Sequence, residues 1–279
     1  MFRTIWFAAA IAYATASFGC GRTPDLQPRR AIGSLPAMDL LPVFTQTVNN
    51  DIDVLFLIDN SGSMKEEQEN LRRNFPAFTQ VLKNLPQGLP NVHIAVVSSD
   101  MGAGRFTTVP GCPGPGDAGR FQSAARGVNC TGPRGSYISA VGSVRNFDGD
   151  IDQVFSCIAP LGTSGCGFEH QLQALRTALD PDLMPLDNRG FLRDEAVLAI
   201  VLLTDEDDCS APPSSNLFDP GDTLVSDPLG PVSSFRCNEF GHLCAGQPPN
   251  RTAATNLRDC HSAEDGRLIR ISEFVDFFK

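Results

Sequence analysis

Two uninterrupted apolar runs limit what this 279-residue chain can fold into. The first is Val54–Ile58 (VLFLI) and the second is Ala196–Leu203 (AVLAIVLL). A strand with one wet face alternates apolar and polar residues. A run that is apolar at every position needs cover on both faces, as in a parallel sheet flanked by helices. Asn91–Ser98 (NVHIAVVS) has similar character. Between these runs the spacing changes to that of helices. After the first run, Leu71, Phe75, Phe78 and Leu82 recur at helical intervals behind an acidic first turn, with Pro76 expected to kink or split the helix. Ile151–Ile158 is read as a short helix, 168–179 as a longer one with Leu172, Leu175 and Leu179 aligned, and the C-terminal LIRISEFVDFFK as a third. Strands alternating with helices predict an α/β fold with a mainly parallel sheet and helices on both faces. No internal repeat is present.

Two stretches break this pattern. Residues 101–147 and 209–260 are rich in Gly, Pro and Ser and carry most of the cysteines. Loops of that length seldom order themselves without help. Nine cysteines are too many for a reduced compartment without a metal cluster, and one is left over if they pair. The first twenty residues supply an explanation for the odd one. Arg3 precedes an apolar run from Ile5 to Phe18, too short to span a bilayer comfortably, and small residues lead to Cys20. The segment Ser17-Phe18-Gly19-Cys20 resembles a bacterial lipobox, which implies lipidation of Cys20 and a membrane-anchored lipoprotein of the cell envelope.

The expected organisation is a signal peptide over 1–20, a Pro-bearing tether over 21–50 and one domain over 51–279. The remaining cysteines are Cys112, Cys130, Cys157, Cys166, Cys209, Cys237, Cys244 and Cys260. They are expected to form disulfides that staple the two long loops. Locality favours Cys112–Cys130 and Cys157–Cys166, with the last four joined among themselves. Zinc on Cys237 and Cys244 is the rival reading. A formal charge of −10 disfavours nucleic acid as a partner.

Chemistry concentrates where two apolar runs end. Ile58 leads into Asp59-Asn60-Ser61-Gly62-Ser63, and Leu203 leads into Thr204-Asp205. The carboxyl ends of parallel strands share one edge, where ligands bind. Asp59, Ser61, Ser63 and Asp205 would converge there as a hard oxygen site suited to Mg²⁺, Mn²⁺ or Ca²⁺. The simpler reading gives Ser61 and Ser63 the task of capping the next helix. The run Asp205-Glu206-Asp207-Asp208 would repel itself without a compensating cation, and Asp207 with Asp208 is a candidate second Ca²⁺ site.

The string DVLFLIDNSGSM, the amphipathic helix after it and the later AIVLLTDEDD resemble a von Willebrand factor A domain with its metal-ion-dependent adhesion site. The resemblance covers residues from about 50 to the end. It implies a doubly wound, Rossmann-like sheet and a Mg²⁺ ion held by the serines and completed by a threonine and a second aspartate. An open metal position would take an acidic group of a protein or other ligand, without catalysis. Asp59, Ser61, Ser63 and Asp205 match the motif positions. Thr163 is the provisional threonine, with Glu169 or a water as the substitute. The resemblance also implies a further apolar strand and a final helix after Asp205, which the domain is expected to lack.

Two patterns in the sequence point toward enzymes. Asp59, His93 and Ser164 follow the chain order of a subtilisin-like triad, but His93 lies inside a strand pattern. Asp51-Ile52-Asp53-Val54 resembles a haloacid-dehalogenase motif, but its buried strand lies on the wrong side of the aspartates. A structural envelope module with a vestigial metal site is the main alternative to metal-dependent binding.

Overall fold

The computed structural model describes residues 49–254, 256–264 and 266–279. The signal peptide, Cys20 and nearly all of the tether lie outside the described residues. The elements run in chain order as follows: β1 (Asp51–Ile58), α1 (Lys65–Lys83), β2 (Asn91–Ser98), β3 (Ile138–Val141), β4 (Val144–Arg145), α2 (Ile151–Ile158), α3 (Gln171–Leu179), β5 (Val197–Leu203), α4 (Phe235–Gly241), β6 (His242–Cys244), β7 (Cys260–Ser262) and α5 (Ile271–Phe278).

Five strands form one sheet in the order β4-β3-β2-β1-β5. The three apolar runs are its parallel part, β1 lying between β2 and the edge strand β5. β1 pairs parallel with β2, Ile58 opposite Ser98, and parallel with β5, Ile58 opposite Leu203. Side chains of β1 alternate between two cores. Val54, Phe56 and Ile58 pack with Phe75 of α1 and with Val154 and Phe155 of α2. Leu55 and Leu57 pack with Ala174, Leu175 and Ala178 of α3. The first core is centred on aromatic rings, with Phe75 stacked on Phe155 at 3.6 Å and Phe56 4.8 Å from Phe155. Such contacts add to the area effect that drives burial.

Several expectations change. Pro76 lies within α1 without splitting it. Phe75 and Phe78 on either side of it face the aromatic core, and their packing outweighs the hydrogen bond that Pro76 cannot donate. The 101–147 stretch contributes to the sheet, because β3 pairs antiparallel with β2 and β4 with β3. The sheet is therefore mixed, with two parallel pairings and two antiparallel ones. α3 begins at Gln171 rather than 168. β5 is an edge strand whose Val197, Leu198 and Leu202 are exposed, and among the described residues no strand pairs with its outer side.

The eight cysteines among the described residues form four disulfides; the last four join among themselves as expected, but the first four do not pair by locality. The bridges join Cys112 to Cys166, Cys130 to Cys157, Cys209 to Cys237 and Cys244 to Cys260. The second is nested inside the loop closed by the first. The extra loop-closure entropy of the longer spans is only on the order of 2 kcal/mol. Packing of Cys112, Cys166, Cys209 and Cys237 with Phe168, Leu217 and Phe218 in a third apolar core decides the partners. Zinc on Cys237 and Cys244 is thereby overturned, because the two belong to different disulfides.

Candidate functional site

Parallel pairing brings the ends of β1 and β5 level, and the Asp59 N–H donates to the Leu203 carbonyl at 2.9 Å. Asp59 is fully buried. Its Oδ1 accepts the Ser61 N–H at 2.8 Å, and its Oδ2 accepts the Thr204 hydroxyl at 2.8 Å. The Ser61 and Ser63 hydroxyls lie 3.4 Å apart, and Ser63 donates to Asp205 Oδ1 at 3.2 Å. Four of the five metal-site residues expected from the sequence thus form one hydrogen-bonded group.

The capping reading fails at this point. The residue in the N-cap position of α1 is Met64, and no side chain caps the helix. The serine hydroxyls turn toward each other and toward Asp205 instead. Thr163 is exposed and forms no hydrogen bond with the other four. Its loop is held nearby through Gln68, a buried residue of α1. Gln68 Nε2 donates to the Asp59 and Gly162 carbonyls, and its Oε1 accepts the Gly162 N–H.

Glu169 lies closer to the chemistry. Its backbone is fixed between strand ends: it bridges to Asp100, its carbonyl accepts the Cys209 N–H at 2.7 Å, and the next residue donates to Ser99. Its side chain is buried, and Oε2 has no hydrogen-bond partner. Burial, and then the charges of Asp59, Glu206 and Asp205, push its carboxyl up to about 8. Among the described residues no lysine or arginine forms an ion pair with any of these four carboxylates. Gln171 completes the surround, donating to Thr204 Oγ1 and to the Glu206 carbonyl. Thr204 is marked by its place at the end of the second apolar run, but no sequence pattern marks Gln68 or Gln171; only a polar residue on an otherwise buried helix face hints at them.

The donor set fits a hard divalent cation, since hydroxyl and carboxylate oxygens converge without imidazole or thiolate. Among the described residues, no group of three or more His, Cys, Asp and Glu side chains is gathered to hold a metal. Here the serine hydroxyls would have to take part.

The other candidates resolve differently. Asp208 accepts the N–H groups of Leu172 and Ser210 and the Ser210 hydroxyl, so it serves the first turn of α3. Asp207 accepts from Asn238 at 2.8 Å. Both aspartates of the proposed second Ca²⁺ site therefore have protein donors. His93 is opposite Asp53 in register, on the order of 20 Å along the sheet from Asp59 at ~3.3 Å per residue, so the triad does not assemble. Asp51 and Asp53 instead bind Arg193, at 3.1 and 2.7 Å. This pairing is structural. No protein-family model matches the chain, and no curated protein does either.

Proposed function

We propose that this chain is a doubly wound, von Willebrand factor A-like module that binds an acidic group of a protein or other ligand through a divalent cation, without catalysis. Ser61 and Ser63 would supply hydroxyl oxygens to the ion, while Asp59 and Asp205 balance its charge and orient the hydroxyls. Glu169 is the nearest candidate for the place first given to Thr163. Bound Mg²⁺ would provide an open electrophilic position for a ligand carboxylate.

One observation carries the reading. Glu169 is buried with an unpartnered oxygen, the charges of Asp59, Glu206 and Asp205 add to its cost, and among the described residues no cationic side chain pairs with any of the four. Like charges so placed are costly unless a cation joins them. The surrounding protein contributes in two ways. Gln68 and Thr204 hold Asp59 in position, and the disulfide-stapled loops frame the surface that a ligand would meet. The four disulfides suit an oxidising compartment, in keeping with the envelope lipoprotein that the N-terminal lipobox implies.

Calorimetric titration with Mg²⁺ and Mn²⁺, paired with melting curves, tests the proposal. Saturable binding and a raised melting temperature are expected, both lost in Ser63→Ala and Asp205→Ala. A parent protein with no response to either ion, but with its fold intact, would refute it. The exposed position of Thr163 favours the second reading, a structural module whose site no longer holds metal. That reading expects any partner captured from envelope extracts to stay bound in EDTA.

A further inference from the structure

Beside the Asp59–Ser63 loop, with Asn60 of that loop in its wall, lies a cavity of about 220 Å³, also walled by Asp100, Asp117, Gln122, Arg126 and Ser164 among others. It contains charge of both signs, yet the charges do not pair with each other. Among the described residues, neither Asp100 nor Asp117 lies within ion-pair distance of Arg126 or of any other cation.

Each wall is held in place by the backbone. Asp100 Oδ1 accepts the Gly102 N–H at 2.9 Å, and the Asp100 carbonyl accepts the Asp117 N–H at 2.9 Å. Gly116 lies so close that a Cβ there would be 2.2 Å from Asp100 Oδ1, and its φ of +61° also favours glycine. Asp117 Oδ2 accepts the Ser98 hydroxyl at 2.6 Å. Arg126 donates through Nη1 to the Ala124 and Ile158 carbonyls and through Nη2 to Gln122 Oε1. A guanidinium has five N–H donors, so two of Arg126's remain uncommitted. Asn60 is 8% exposed, and its side-chain oxygen has no hydrogen-bond partner. A buried acceptor left unpaired is costly unless a donor arrives.

These groups fit one kind of ligand. Asp100, Asp117 and Asn60 are three acceptors, and an ammonium group has three N–H donors. Arg126 offers free donors to an oxygen anion or carbonyl. We propose that this cavity binds a primary α-ammonium group together with its adjacent carboxylate or carbonyl, as found in a free amino acid or at the amino terminus of a peptide. A bare metal ion is a poorer match, because Arg126 shares the cavity. The proposal is independent of the metal reading, and its test is run in EDTA.

Calorimetry or ligand-detected NMR would compare L-alanine, trialanine and N-acetyl-L-alanine. L-Alanine, trialanine or both should bind saturably, and which of them binds identifies the source as free amino acid or peptide end. N-Acetyl-L-alanine, which lacks the ammonium, should bind at least about tenfold more weakly. Asp117→Asn should weaken binding by about tenfold. Ser164→Trp should abolish it by filling the mouth from an exposed position, with the melting temperature unchanged. Any of three results would overturn the proposal: no binding of either amine at about 10 mM, equal binding of N-acetyl-L-alanine, or parent-like binding by Ser164→Trp.

Discussion

Replacing Glu169 with glutamine removes one buried charge and keeps the shape of the side chain. In the unfolded chain this carboxyl releases its proton near 4.5, whereas in the folded, metal-free protein it holds the proton up to about 8. Between those values the folded state binds more protons than the unfolded state, so stability falls as pH rises. The gap corresponds to about 5 kcal/mol over the whole range and about 4 kcal/mol between pH 5 and pH 8. The glutamine variant has no such proton to lose. His170 has the opposite sign: burial holds it down to about 4, so stability falls as pH drops below 6.5. That slope is common to both proteins and cancels in their difference. Urea unfolding in EDTA, with disulfides intact, should therefore show the parent losing about 4 kcal/mol relative to Glu169→Gln from pH 5 to pH 8. Saturating Mg²⁺ should erase most of that difference by compensating the carboxylates. Parallel pH profiles for parent and variant in EDTA would refute the claim that Glu169 is buried among like charges.

Two further perturbations probe the frame around the site. Arg193→Ala strips Asp53, 1% exposed, of its guanidinium partner and should cost about 3–5 kcal/mol, seen as a melting temperature lower by roughly 6–20 °C. Replacing both Cys130 and Cys157 with alanine opens a 27-residue span and should cost about 3.5 kcal/mol in urea unfolding, with little change in Mg²⁺ affinity if the bridge only restrains the loop.

The parts of the fold legible in the sequence are those where every residue of a segment reports the same environment. Val54–Ile58 is apolar throughout and is buried inside the sheet, whereas Val197–Leu203, equally apolar, is found as a strand but at the edge, with Val197, Leu198 and Leu202 exposed rather than covered. From those two strands the meeting of Asp59, Ser61, Ser63 and Asp205 follows by parallel register alone. β3 was hidden because Ile138–Val141 is four residues long and owes its strand character to pairing with β2, far away in sequence. Glu169 was visible only as a substitute. Its importance comes from burial and from three distant carboxylates, neither of which leaves a trace in its own neighbourhood. Proximity in sequence points to Thr163, yet the loop presents it to solvent and anchors itself through the Gly162 backbone instead.

The nesting of Cys130–Cys157 inside Cys112–Cys166 also bears on how the protein is made. A chain that meets an oxidant from its amino end presents Cys112 and Cys130 to each other before Cys157 and Cys166 exist as partners. Oxidation in order of arrival would join the first two, and the native arrangement is then reached only by thiolate exchange through mixed disulfides. The 209–260 region has no such conflict, because Cys209–Cys237 and Cys244–Cys260 follow chain order. Yield of correctly paired protein should therefore depend on an isomerase or a thiol shuffling buffer for its first half and not for its second.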